Sequence, residues 1–176
     1  YMYENQPNAM TYQKIDFDTS TGTYFNLTTD TFDIPSGFGS ADGLFKLDFT
    51  ASILSQTANF SVYVNDYYRT SQVISSIGAY SFYGLALKDG DKVSLRVKTQ
   101  DNSVALNYAI SVMELTFQPD APVAPFSLGT ASMSSSDSIS VTVRVSELLP
   151  EMKVYDFIQG IIRAHNVVIT PVTLSQ

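Results

Sequence analysis

Apolar and polar residues alternate along much of this chain with a period of two, the pattern typical of half-buried β-strands. The alternation runs through 45–53, 60–65 and 93–98, and turn signals rich in Gly, Asn, Asp and Pro separate these segments. No helical period occurs from about residue 11 to about residue 118. We therefore predict an all-β fold, an antiparallel β-sandwich or jelly roll. One strand is expected to turn a single face inward, made of Phe45, Leu47, Phe49, Ala51 and Ile53.

The last strand of this block, 105–117, is apolar on both faces. Ile110 and Val112 are predicted to share one face, while Met113 and Leu115 occupy the other. Such a strand either lies in the centre of its sheet or buries its outer face against another subunit. Ile110 and Val112 are therefore candidate interface residues.

The C-terminal third has a different pattern. Residues 119–138 are rich in Pro and Ser and are predicted to be a surface linker. Residues 139–176 are predicted to form a strand, a short helix over 153–164 and a second strand, the start of an incomplete second module. The apolar face of this helix needs a packing partner, either a further part of the polypeptide or a neighbouring subunit. Its interface candidates are Tyr155, Ile158, Ile161 and Ile162.

Composition narrows the class of protein. The chain has 176 residues, 44% of them hydrophobic and only 15% charged, which is typical of a globular protein. With a net charge of −7 and no cluster of Lys and Arg, nucleic-acid binding is not expected. Without cysteine there are no disulfides or Cys–metal sites, and no apolar run reaches the ~20 residues of a membrane span. Residues 1–10 are polar and are predicted to be an entry segment or linker, and we expect the chain to be a fragment of a longer polypeptide.

No sequence motif for catalysis, a cofactor or a metal stands out, and we predict that the protein is not an enzyme. His165 is the only histidine and lies in an apolar context, so a structural role is expected. Asp89-Gly90-Asp91 offers two carboxylates, but a calcium loop supplies further oxygen ligands at fixed offsets, and a hairpin turn is the favoured interpretation. Asp16 with Asp18, and Asp30 with Asp33, are expected to be solvent-facing pairs.

Aromatic residues are abundant, with 11 Tyr and 11 Phe. Tyr63, Tyr67, Tyr68 and Tyr83 are candidates for an aromatic platform that contacts a glycan. Packing at an oligomer interface is the favoured alternative, because both uses exploit a rigid apolar ring with a polar tip.

Residues 11–118 resemble the C1q/TNF-like jelly roll. The matching segments follow Phe17 in the family's order: Gly22–Phe25, Phe32–Pro35 with Gly37, Gly43–Phe49, Leu87–Val93 and Ser111–Leu115. The resemblance implies a sandwich of about ten strands that forms compact trimers and binds ligands without catalysis. Several aromatic landmarks of the animal members are absent, so no ligand site is carried over.

Residues 139–170 resemble a segment of tail and baseplate-type structural proteins of phages that infect Bacteroidetes-like hosts. The similarity lies in Leu149–Ile162, with its Leu-Pro-x-x-Lys-x-x-Asp-Phe pattern, and in Asn166–Ile169. This resemblance implies a virion protein, a tail, baseplate or fibre component located in the phage particle. Its implied partners are itself, as a homotrimer or higher ring, other virion proteins and a host surface glycan. The alternative function is a carbohydrate-binding module of C1q-like type, and a depolymerase is the least favoured because no carboxylate pair stands out from turn chemistry.

Overall fold

A computed structural model describes residues 12–38, 43–101, 104–120 and 123–139. All of them belong to the first of two compact units of the chain, Tyr1–Val141. The predicted helix over 153–164, with Tyr155, Ile158, Ile161 and Ile162, therefore lies outside the described residues, as do His165 and the predicted linker over 1–10.

Every regular element in the described residues is a β-strand, as the alternation predicts. The strands are β1 (Gln13–Lys14), β2 (Thr19–Thr21), β3 (Phe25–Asn26), β4 (Thr31–Asp33), β5 (Gly43–Leu54), β6 (Ala58–Val64), β7 (Tyr67–Ile74), β8 (Gly78–Leu85), β9 (Lys92–Thr99), β10 (Leu106–Pro119), β11 (Phe126–Ser132) and β12 (Asp137–Ile139).

These strands form two antiparallel sheets. Sheet 1 has the order β3-β4-β9-β6-β7, and β1 also pairs with β9. Sheet 2 has the order β2-β11-β10-β5-β8, and β12 also pairs with β10. The strand predicted over 105–117 is β10, which pairs with β5 on one side and with β11 and β12 on the other. It therefore lies centrally, which is one of the two positions that its apolar faces predict.

One hydrophobic core contains side chains of both sheets. Phe45, Leu47, Phe49 and Ala51 of β5 are buried in it, as predicted. The ring of Phe49 lies 5.1 Å, centroid to centroid, from the ring of Phe60 on β6 of sheet 1. Burying an aromatic or aliphatic side chain of this size contributes about 1.5–3 kcal/mol. Contacts of this kind between the two sheets hold them together.

Two bulges correct the predicted faces of β5 and β10. Between these strands Ala109 pairs with Ile53, but Ile110 pairs with Ala51 and the next pair is Val112 with Thr50. Each strand thus carries one unpaired residue, Ser52 or Ser111, which reverses the alternation beyond it. Ile110 is 0% exposed in the core, whereas Val112 is 37% exposed. Ile53 is likewise 44% exposed and does not share the buried face of Ala51.

The stretch predicted as a Pro/Ser-rich linker, 119–138, differs from that prediction because it contributes β11 and part of β12 to sheet 2. The prolines flank the strands: Pro119 ends β10 and Pro125 directly precedes β11. Leu128 and Ala131 are buried. The register of β11 with β10 shifts beside Gly129, so these two buried residues are three apart and not two. The strand therefore lacks the period of two by which the other strands were predicted.

Candidate functional site

The outer face of sheet 1 carries most of the distinctive surface chemistry of the described residues. Strand β6 alternates between core residues and residues of the outer face. The outer-face residues lie opposite polar residues of β9, in the cross-strand pairs Asn59–Lys98, Ser61–Arg96 and Tyr63–Ser94. On the other side of β9, β1 places Lys14 opposite Arg96. Cross-strand pairs project from the same face of a sheet, so these side chains form adjoining rows.

Three tyrosines, Tyr12, Tyr63 and Tyr68, form a chain of ring contacts on this face, which we call the tyrosine ladder. The centroid of the Tyr63 ring lies 5.8 Å from that of Tyr12 and 5.9 Å from that of Tyr68, both in edge-on arrangements. A register shift between β6 and β7 places Tyr68, rather than Arg69, opposite Tyr63. The Tyr68 hydroxyl lies 3.1 Å from the hydroxyl of Ser71.

Two cations lie over the rings of the ladder. The guanidinium carbon of Arg96 is 4.2 Å from the centroid of the Tyr63 ring, and the Lys98 ammonium is 4.7 Å from that of Tyr12. Both distances are within the range of a cation–π interaction. Arg96 also forms an ion pair with Asp66. Burial raises the pKa of Tyr63, an effect that the nearby Arg96 charge partly opposes, so the Tyr63 ring remains neutral and can hold a cation over its face.

The turn between β6 and β7 fixes the acidic partner of Arg96. Asn65 and Asp66 both have positive φ, at 51° and 65°, as a tight two-residue hairpin turn requires. The Asn65 amide nitrogen donates to the Asp91 carboxylate at 2.7 Å, and the Asn65 side-chain oxygen accepts from the Lys92 N–H at 2.9 Å. The turn is thereby tied to β9, the strand that carries Arg96.

Asp91 binds the backbone of its own turn, whereas Asp89 binds the loop that follows β4. Asp91 accepts a hydrogen bond from the Lys88 N–H at 2.8 Å, and Asp89 accepts one from the Gly37 N–H at 3.2 Å. Residues 88–91 thus form a tight turn, but not the predicted hairpin turn, because β8 and β9 belong to different sheets and do not pair. Among the described residues, no group of three or more His, Cys, Asp or Glu side chains is placed to hold a metal ion.

A cleft of about 190 Å³ adjoins the ladder. Its lining includes Lys14, Lys92 and Ser94, together with threonine hydroxyls and the Asn65-Asp66 turn. The Lys14 ammonium donates to the Thr29 carbonyl oxygen at 3.0 Å. The lining therefore combines two lysines with the Asp66 carboxylate, and it is continuous in the sheet with Arg96.

The four predicted glycan-contact tyrosines do not form one platform. Tyr63 and Tyr68 are together in the ladder. Tyr83 is exposed on β8 of sheet 2, where Lys46 lies 5.1 Å from its ring centroid, and Tyr67 is exposed at the edge of sheet 1 opposite the inward-facing Val64. Sequence reasoning missed Tyr12, Arg96 and Lys98, whose proximity to Tyr63 depends on strand pairing.

The remaining predicted residues are structural or lie elsewhere. Ile110 is part of the core, while Val112 and Ile53 are exposed on sheet 2. Asp18 accepts two hydrogen bonds from Ser134, which lower its pKa, and burial raises the pKa of Asp30. In the part of the chain that the structure describes, no helix is long and apolar enough to cross a membrane.

Comparisons of the chain with protein-family models, curated proteins and solved structures gave no match.

Proposed function

We propose that the chain is a non-enzymatic structural component of a phage virion, a tail, baseplate or fibre subunit that acts through subunit contacts and host attachment. The support is the resemblance of 139–170 to such proteins, together with two antiparallel sheets around one core in the stretch that resembles a jelly roll. We propose that these sheets form a jelly roll that assembles as a homotrimer or higher ring. We propose that the protein acts without a cofactor.

The observation that carries this proposal is the set of large apolar side chains left exposed on sheet 2 and its loops. Val112 and Ile53 lie on the central pair of strands, β10 and β5, and Phe126 begins β11. Covering an apolar surface at the centre of a sheet with another subunit lowers the free energy, because it removes that surface from water. The largest exposed members are Leu44, Ile53, Ile77, Tyr83, Val104, Val112, Val123 and Phe126.

The test is the mass of the protein in solution, measured by light scattering over a range of concentrations. We expect a trimer or larger ring, and a smaller species for Val112→Asp and Ile53→Asp, because a carboxylate resists burial in an apolar contact. Gln72→Asp is the matched control, since it adds the same charge at an exposed position of β7 in sheet 1. A monomer at every concentration, or equal effects of all three variants, would contradict assembly through sheet 2.

The tyrosine ladder favours a second candidate function, a carbohydrate-binding module. Aromatic rings provide rigid apolar area for the faces of sugar rings, and the tyrosine hydroxyls and Ser71 offer hydrogen bonds at the same place. We expect glycan-array binding that Tyr63→Ala and Tyr68→Ala abolish. Tyr83→Ala is the control, because that ring is exposed on sheet 2 outside the ladder. If Tyr83→Ala alone lost binding, the glycan would bind at sheet 2 and not at the tyrosine ladder.

A further inference from the structure

We propose that the tyrosine ladder and its cations bind an acidic polysaccharide, one whose sugar rings carry carboxylates. The inference rests on the carbohydrate-binding function and specifies the class of glycan. The tyrosine rings contact the sugar faces, while Arg96 and Lys98 pair with the carboxylates.

Charge is unevenly distributed in this protein. The chain has a net charge of −7, yet Lys14, Lys92, Arg96 and Lys98, four of its ten Lys and Arg residues, lie on the outer face of sheet 1. A cationic patch on an acidic protein attracts an anion at that place and repels it elsewhere, so it directs the ligand to one surface.

The carboxylates near these cations leave much of the positive charge available. Asp66 pairs with Arg96, and Asp33 lies opposite Lys92 in the register of β4 and β9. Among the described residues Lys98 has no ion pair, and its ammonium lies over the ring of Tyr12. Lys98 is therefore the cation best placed to accept a ligand carboxylate without losing a protein one.

Unused hydrogen-bonding groups are concentrated at the same place. Within the described residues, the buried side-chain polar atoms without a hydrogen-bond partner are the Asn59 amide oxygen, the Ser61 hydroxyl and the Arg96 Nε. All three belong to the adjoining cross-strand pairs Asn59–Lys98 and Ser61–Arg96. Buried polar groups are nearly always hydrogen-bonded in native proteins. These groups are therefore available to a polar ligand that draws Arg96 outward and replaces its ion pair with Asp66.

The geometry favours a carboxylated sugar over a nucleic acid. A planar guanidinium binds a carboxylate through two parallel hydrogen bonds. Arg96 and Lys98 lie two residues apart on one face of β9, a spacing suited to a ligand with one charge per sugar unit. Nucleic acids carry a phosphate at every nucleotide and require denser positive charge than Asp33 and Asp66 allow on this face.

The test is calorimetric titration of the full chain with alginate, with alginate whose carboxylates have been reduced to hydroxymethyl groups, and with dextran. We expect alginate to bind at least about tenfold more tightly than its reduced form, and added salt to remove this preference. Lys98→Gln and Arg96→Gln should each lose the preference, while Tyr63→Ala loses binding to every glycan. Lys88→Gln is the control, because it removes an exposed cation from another part of the chain. Circular dichroism melting verifies that each variant is folded. If Arg96→Gln does not fold, the Lys98→Gln variant alone tests the inference.

Each result bears on a different claim. Equal binding of alginate and its reduced form, or an unchanged preference in Lys98→Gln, overturns the acidic-glycan inference and leaves the carbohydrate function standing. Binding to none of the polysaccharides counts against both. Tighter binding of a single-stranded oligonucleotide than of alginate, competing for the same residues, overturns the inference in favour of nucleic acid.

Discussion

Replacing Ile110 and Val112 by alanine in separate variants tests the bulged pairing of β5 and β10. In a regular strand, residues two apart project from the same face, so the two changes would have similar effects. Here the unpaired Ser111 separates them, and Ile110 is 0% exposed while Val112 is 37% exposed. The prediction is a large difference in stability between two neighbouring substitutions.

The expected magnitudes follow from burial. Ile110 lies in the hydrophobic core, where an Ile→Ala change removes buried methyl groups and leaves a cavity, at a cost of about 2–5 kcal/mol. Val112 already contacts solvent, so Val112→Ala should change the free energy of unfolding by less than about 1 kcal/mol. For a unit of this size, the first cost corresponds to a loss of about 5–15 °C in melting temperature.

Urea unfolding followed by far-ultraviolet circular dichroism measures both free energies. The slope of the free energy against urea must stay constant across the variants for the comparison to hold. Equal losses from Ile110→Ala and Val112→Ala would refute the bulge and return both residues to one face. A larger loss from Val112→Ala would place it, and not Ile110, in the core.

Three further changes test local contacts. Tyr108→Phe should cost about 1–2 kcal/mol in urea unfolding, because the buried hydroxyl donates to the Asp137 carboxylate at 3.1 Å; an unchanged midpoint would contradict that bond. Gly22→Ala should cost more than about 1 kcal/mol, because φ is +91° and the new Cβ would lie 2.8 Å from the facing backbone; a neutral result would mean that the backbone moves easily. Hydrogen bonds from Ser134 lower the pKa of Asp18, so its contribution to stability is present above the ordinary value of 3.8 and is lost as pH falls. Asp18→Asn should therefore lose less stability than the unmodified protein between about pH 6 and pH 3, and an identical pH dependence would count against this role.

The sequence predicts the strands whose alternation is unbroken. Phe60, Val62 and Val64 of β6 and Val93, Leu95 and Val97 of β9 are all buried, as period two requires. The Asn65-Asp66 turn is also confirmed, because few residues other than Gly, Asn and Asp adopt positive φ easily. These features depend on local preferences that a single segment expresses by itself.

Features that depend on which strands pair cannot be predicted from the pattern of a single segment. The bulges at Ser52 and Ser111 arise between two strands about sixty residues apart, so neither segment alone predicts which face Ile53 or Val112 takes. Strand β11 was hidden for a related reason, since its register shifts against β10. Tyr12 joins Tyr63 only because β1 pairs with β9, and two residues are too few to show a period.

The core nevertheless determines the chemistry of the proposed site. Val93, Leu95 and Val97 are buried, and this leaves Ser94, Arg96 and Lys98 no side of β9 except the outer face. A slip of one residue between β9 and β6 would turn the two cations inward and expose three apolar side chains, at a cost far larger than any surface contact returns. The cations are therefore held beside the tyrosine ladder by the hydrophobic core, and not by the ion pair of Arg96 with Asp66. It follows that Asp66→Asn should leave the fold intact and release Arg96 for an anionic ligand, so alginate should bind this variant more tightly than it binds the unmodified protein. Weaker binding would mean that Asp66 orients Arg96 for the ligand and does not compete with it.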